Sequence, residues 1–103
     1  MVIRILDHVA QAATYADGEK IFPLIANPIR QGQDVSLSFE GIDAVPSAFI
    51  NATIVRLIEV ANLDEIKLHL SVVDSTRQIN NLIRERIAFL SQAALEKRHF
   101  PLP

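Results

Sequence analysis

The side chains best suited to catalysis or metal binding are few in this sequence, and they are far apart. The histidines are His8, His69 and His99, and no two of them have the i, i+3 or i+4 spacing of a helical metal pair. The absence of cysteine excludes disulfides, thiol nucleophiles and cysteine zinc sites. The three glycines are too scattered for a phosphate-binding loop or a Gly-x-Ser-x-Gly nucleophile motif. We therefore predict no catalytic, cofactor-binding or metal-binding residues, and no enzymatic activity.

One serine lies at a junction where chemistry could occur. Residues 35–39 alternate as in a strand, and Pro46 suits the first turn of the helix that follows. Ser47 would then lie at a helix N-terminus, where free backbone N–H groups favour a phosphate. One interpretation is that Ser47 only helps to cap the helix. The other is that Asp43, Ser47 and Asn51 form a docking site for a partner, with Ser47 as the candidate for phosphorylation.

The elements that must position these residues alternate between strand and helix. The predicted elements are strands over 2–6 and 9–15, a helix over 18–30 capped by Asp17, a strand over 35–39, a helix from Pro46 to Ala61 ended by Asn62, a strand over 66–73, and a helix from a Ser75–Gln78 capping box to about Lys97. Such alternation predicts an α/β fold with about four strands in a mostly parallel or mixed sheet.

Two of the predicted strands alternate apolar and polar residues, whereas strands buried on both faces are continuously apolar. We therefore expect the helices mainly on one face of the sheet. The other face would be polar and would carry Ser36, Ser38, Lys67, His69 and Ser71.

Length and charge limit the classes of protein that the chain can belong to. Its 103 residues predict a single domain over 1–103, and its net charge of −2 argues against a nucleic-acid partner. No apolar run approaches the ~20 residues that a bilayer requires, so we expect no membrane span. Arg4 and Asp7 interrupt the segment where a signal peptide would be apolar, so we expect a cytoplasmic protein.

Charge is distributed unevenly along the chain. Residues 1–75 hold five basic and ten acidic side chains, whereas residues 76–103 hold five basic and two acidic ones. The positive C-terminal segment is either a solvated helix face or a basic docking face for an acidic partner or a phosphate.

The middle of the chain carries a family resemblance. Its pattern consists of the strand end Leu37–Ile42, the loop-helix junction Val45–Ile50, the strand Leu68–Val73 and a helix from Thr76, after an entry helix led by Asp17–Glu19. This order resembles the STAS domain of anti-anti-sigma factors, and more closely an uncharacterised branch called STAS-like. The resemblance covers about residues 15–90.

The resemblance implies a small STAS-like sandwich that binds proteins without catalysis. Its implied partner is an anti-sigma-like or histidine-kinase-like ATP-binding protein, with control by phosphorylation in the loop before a helix. Anti-anti-sigma factors have Asp-Ser-Ser-Gly at this junction, and their second serine is phosphorylated. Here Ser47 matches the first serine and Ala48 occupies the phosphoacceptor position, while the aspartate and glycine are absent.

Two further expectations concern other surfaces. The alternative function is a small ligand-binding domain or enzyme that uses the polar sheet face around His69. We also expect a homodimer, because Leu82 and Phe89 lie off the main apolar line of the last helix and the tail adds Phe100 and Leu102.

Overall fold

A three-stranded parallel sheet organises the computed structural model, which describes residues 1–98 and the side chains of residues 1–90. The elements are β1 (Val2–Arg4), α1 (Tyr15–Arg30), β2 (Val35–Ser38), α2 (Ser47–Ala52), α3 (Leu63–His69), β3 (Leu70–Val73) and α4 (Arg77–Arg98), with 3₁₀ turns at Ile5–Asp7 and Val55–Glu59. The strand order is β1-β2-β3, and Ile3, Leu37 and Val72 are aligned across it. The α/β class and the parallel sheet are confirmed, but the described residues hold three strands rather than four.

The missing strand is the one predicted over residues 9–15. The carboxylate of Asp17 accepts the backbone N–H groups of Ala13 and Thr14 at 3.0 and 3.1 Å, so these groups are taken up by a helix cap instead of a strand ladder. Thr14 caps α1 in return, since its side chain accepts the N–H of Asp17 at 3.1 Å. The helix therefore begins at Tyr15 rather than Gly18, and Asp17 is the third helical residue, which closes a capping box with the N-cap Thr14.

The strand predicted over 66–73 is wrong in its first half. Asn62 and Glu65 form a second capping box and begin α3, so Asn62 starts a helix where it was predicted to end one. Ile66 and Leu70 are four residues apart, a spacing that fits one helix face as well as alternate positions of a strand. Only Leu70–Val73 is extended, and Lys67 and His69 are therefore not on the sheet.

The long helix predicted from Pro46 to Ala61 is divided into two short elements. At Thr53 the hydroxyl bonds the carbonyl of Phe49 at 2.9 Å, and the backbone leaves helical geometry with ψ of −80°. A buried hydroxyl that bonds the preceding turn competes with regular helix formation. The chain continues into the Val55–Glu59 turn before α3 begins.

The two faces of the sheet differ in what covers them. Val35 and Leu37 are buried in one core with side chains from all four helices, and Ile3, Leu70 and Val72 pack against that core. The strand register places the remaining strand side chains on the opposite face; they are Val2, Arg4, Ser36, Ser38, Ser71 and Val73. Among the described residues this second face has no helix over it, and Val2 and Ser71 are exposed there.

Candidate functional site

The predicted site residues lie where β2 passes into α2, beside the carboxyl ends of the strands. We call residues 43–47 the docking loop. Asp43 and Ser47 are exposed, while Asn51 is half-buried one helical turn after Ser47. Ser47 and Asn51 therefore share one face of α2, and Asp43 precedes them in the same surface segment.

The side chains of Thr76 and Gln78, around the first residue of α4, hold the backbone of the docking loop. The hydroxyl of Thr76 donates to the carbonyl of Asp43 at 2.7 Å. The side-chain amide of Gln78 accepts the N–H of Val45 and donates to its carbonyl, both at 3.3 Å. These contacts satisfy backbone groups of an irregular segment, so they hold the loop in one conformation.

The capping box predicted from Ser75 to Gln78 is wrong, because both side chains bond other groups. Thr76 accepts the N–H of Ile79 at 3.3 Å and so takes the capping position one residue later. Ser75 instead hydrogen-bonds Asn80, and Gln78 is used by the docking loop. No local sequence signal distinguishes a glutamine that caps its own helix from one that binds a loop 33 residues away.

The short helix α2 is anchored by its inner face. Phe49 and Ile50 are fully buried, and the Phe49 ring packs edge-on against Phe39 with a centroid distance of 6.4 Å. On the far side α1 approaches closely, since a Cβ on Gly18 would lie 2.6 Å from the Cβ of Ala52. The site therefore lies on a rigid support rather than on a loose loop.

Ser47 does not cap the helix, contrary to the simpler interpretation. Pro46 occupies the N-cap position and has no side chain to bond the backbone. The Ser47 hydroxyl makes no hydrogen bond to any residue that the structure describes. With six residues α2 is also too short to form a helix-terminus phosphate site, so the expected attraction of a phosphate to its N-terminus is not supported.

A polar cluster at the carboxyl ends of the strands was not predicted. Arg4 bonds Asp7 at 2.8 Å and Glu40 at 3.1 Å, and these carboxylates raise the pKa of its guanidinium. Nearby, the buried hydroxyl of Ser38 donates to Asp74 at 2.8 Å. Asp74 has a φ of +53°, which is unusual for a residue with a side chain. Among residues 1–90, whose side chains the structure describes, no three His, Cys, Asp or Glu side chains converge as metal ligands.

His69, the centre of the alternative hypothesis, lies away from this cluster. Its Nδ1 lies 2.9 Å from the carboxylate of Asp34, and its side chain is 18% exposed at the end of α3. The polar face predicted around His69 therefore does not exist as a unit, because only its serines are on the sheet.

The two α4 side chains named in the self-association prediction differ in exposure. Phe89 is 64% exposed, whereas Leu82 packs partly against the core. The tail residues Phe100 and Leu102, also predicted for this interface, lie outside the described residues.

The sequence of this chain matches one family model, and that match includes the docking loop. The model is described as a STAS-like domain of unknown function (DUF4325), and it covers residues 17–80. No curated protein and no solved structure matches the chain. As far as the structure describes the chain, none of its helices has the length and apolar character to cross a membrane.

Proposed function

Because the chain belongs to this STAS-like family, we propose that it is a non-catalytic, cytoplasmic protein-protein interaction module with a regulatory role. Its proposed partner is an anti-sigma-like or histidine-kinase-like ATP-binding protein. The observation that carries the proposal is the docking loop, which exposes Asp43 and Ser47 while Thr76 and Gln78 hold its backbone. Surface loops on a rigid support are common sites of protein binding.

The ordered backbone of the docking loop should increase its affinity for a partner. A partner that docks on an already ordered segment avoids the entropy cost of fixing its backbone, about 1–2 kcal/mol for each residue. Residues 43 and 45 are hydrogen-bonded to Thr76 and Gln78, and α2 is buried through Phe49 and Ile50. The free side chains of Asp43, Ser47 and Asn51 can then contact the partner without rearrangement of the backbone.

Ser47 is the proposed point of control. Its hydroxyl is exposed and uncommitted among the described residues, so a kinase can reach it. Phosphorylation would add about −1.5 to −2 charges at neutral pH. That charge would stand in the same surface segment as the carboxylate of Asp43, and it would alter the complementarity between the loop and a partner.

Self-association is a second proposed property. Residues 77–90 of α4, whose side chains the structure describes, hold three arginines and one glutamate, whereas residues 1–75 have a net charge of −5. Opposite charges on the two parts favour contact between α4 of one copy and the body of another. Phe89 would supply the apolar centre of this homodimer contact.

The partner can be identified by isolating the tagged chain from its native cells and purifying the protein that accompanies it. Binding of that protein is then measured by titration calorimetry with the wild-type chain and with Asp43→Ala and Asn51→Ala variants. The proposal expects an ATP-binding partner whose affinity falls in both variants. A thermal shift of several degrees with a small metabolite, and no partner recovered, would favour the ligand-binding alternative.

A further inference from the structure

A shallow groove adjoins the docking loop and shares Ala44 with it. The groove has a volume of about 290 Å³. It runs between the irregular segment after the first 3₁₀ turn and the loop that follows β2. Its lining residues are Leu6, residues 10–13, Gly41, Ile42 and Ala44.

The walls of the groove offer unused backbone groups. The N–H and C=O groups of Ala10, Gln11 and Ala12 make no hydrogen bond to any residue in the described part of the chain, and the same is true of Ala44. The neighbouring groups of Asp43 and Val45 are by contrast bonded to α4. Free backbone groups on both walls suit an occupant that is itself a peptide main chain.

The side chains around the groove are small, and this leaves room for a backbone. Alanines at 10, 12, 13 and 44 line it over an apolar floor that includes Leu6 and Ile42. Gly41 has a φ of +83°, and a Cβ at this position would lie 2.9 Å from Cδ1 of Leu6. A side chain at position 41 would therefore strain the turn and press on the floor of the groove.

Three acidic residues are direct chain neighbours of residues that line the groove. Asp7 follows Leu6, Glu40 precedes Gly41, and Asp43 precedes Ala44. All three are exposed, and the nearby cation Arg4 is bonded to two of them. The rim is therefore net negative and complements a basic occupant.

We propose that this groove binds an extended, basic segment of the partner protein, whose main chain hydrogen-bonds residues 10–12 and 44. The inference rests on the proposed function, because it assumes that the partner is a protein. It adds the mode of recognition: main-chain bonds on both walls, small side chains facing the floor, and lysine or arginine at the acidic rim.

The direct test is a titration of the ¹⁵N-labelled full chain with a short blocked peptide of alternating lysine and valine, followed by amide NMR shifts. We expect shifts to concentrate at residues 10–13 and 41–44. A glutamate-valine peptide of equal length should cause none, and backbone N-methylation of the basic peptide should weaken binding at least tenfold. No shifts up to millimolar peptide, shifts elsewhere on the chain, or equal binding of the N-methylated peptide would overturn the inference.

Matched alanine substitutions locate the effect. Ala44→Leu fills the groove from an exposed position, and Ala88→Leu makes the same change on the exposed side of α4. Ala44→Leu should weaken binding of the basic peptide at least tenfold, and Ala88→Leu should leave the affinity for this peptide unchanged. Equal affinity for both variants would contradict the groove as the site.

The same variants separate this inference from the proposed function. If the purified partner binds through Asp43 but tolerates Ala44→Leu, the groove proposal fails and the docking proposal stands. If the lysine-valine peptide occupies the groove but no protein partner is found, the preference of the groove for an extended basic segment stands and the regulatory function fails.

Discussion

The side-chain amide of Gln78 spans both backbone polar groups of Val45, accepting from its N–H and donating to its carbonyl at 3.3 Å each. Through this pair the first turn of α4 fixes the shape of the docking loop. Backbone groups of the loop form hydrogen bonds with side chains of the fold, so the side chains of the loop can remain exposed to solvent.

Removal of this pair should loosen the loop without unfolding the protein. We expect Gln78→Ala to lower the free energy of unfolding by about 1 kcal/mol, because each lost hydrogen bond contributes on the order of 0.5–1.5 kcal/mol and Gln78 is itself exposed. The amide of Val45 should exchange with deuterium faster than in the wild type. Asn81→Ala, at an exposed position three residues along α4, is the control and should leave the exchange of the Val45 amide unchanged. Unchanged exchange at Val45 in Gln78→Ala would show that the pair does not hold the loop.

The sequence could predict the elements whose signals are local. The alternation around Leu37 predicts β2, and the apolar spacing from Ile79 onwards predicts α4. Each pattern is clear because one face of the element packs against the core, so its apolar residues follow the period of that element. Patterns that suit two structures do not decide between them. Ile66 and Leu70 satisfy a strand and a helix alike, and the Asn62–Glu65 capping box decides between them.

The sequence predicts an exposed junction at Asp43 and Ser47, as the structure shows, but it carries no signal of the residues that support them. The bonds from Thr76 to Asp43 and from Gln78 to Val45 each join residues 33 positions apart. Such contacts depend on the tertiary fold, and neither partner carries a local sign of the other. For the same reason the Arg4 and Ser38 cluster was missed.

Burial of Phe49 should dominate the stability of the site. Phe49 is fully buried against Phe39, so Phe49→Ala should lower the free energy of unfolding by about 3–5 kcal/mol. Urea denaturation followed by circular dichroism measures the loss. Ser47→Asp, two residues earlier and exposed, should leave the midpoint within experimental error. A similar loss in both variants would mean that the docking loop is part of the core.

The Asp17 cap predicts a specific pH dependence. Hydrogen bonds from the backbone of Ala13 and Thr14 hold the pKa of Asp17 below its ordinary value of 3.8. The ionised cap therefore stabilises the fold above that value, and its contribution disappears as pH falls through the lowered pKa. Melting temperatures of the wild type and Asp17→Asn should differ most near neutral pH and converge in acid. Curves that stay parallel down to pH ~2 would contradict an ionised cap.

The exposed aromatic ring on α4 predicts self-association. Light scattering at ~100 μM should give a mass near twice the monomer value of 11.5 kDa, and Phe89→Ser should return the chain to a monomer. Ala88→Ser, at the neighbouring exposed position, should remain dimeric. A wild-type chain that is monomeric at this concentration would contradict the proposed homodimer.

The most direct test of the regulatory proposal is the affinity of the purified ATP-binding partner for Ser47→Asp, measured by calorimetry beside Ser71→Asp. Both substitutions place one carboxylate at an exposed serine, the first on the docking loop and the second on the open face of the sheet. We predict at least a tenfold weakening, about 1.4 kcal/mol, for Ser47→Asp and no change for Ser71→Asp, with both proteins folded. Equal affinity of the wild type and Ser47→Asp would contradict the docking loop as the regulated surface.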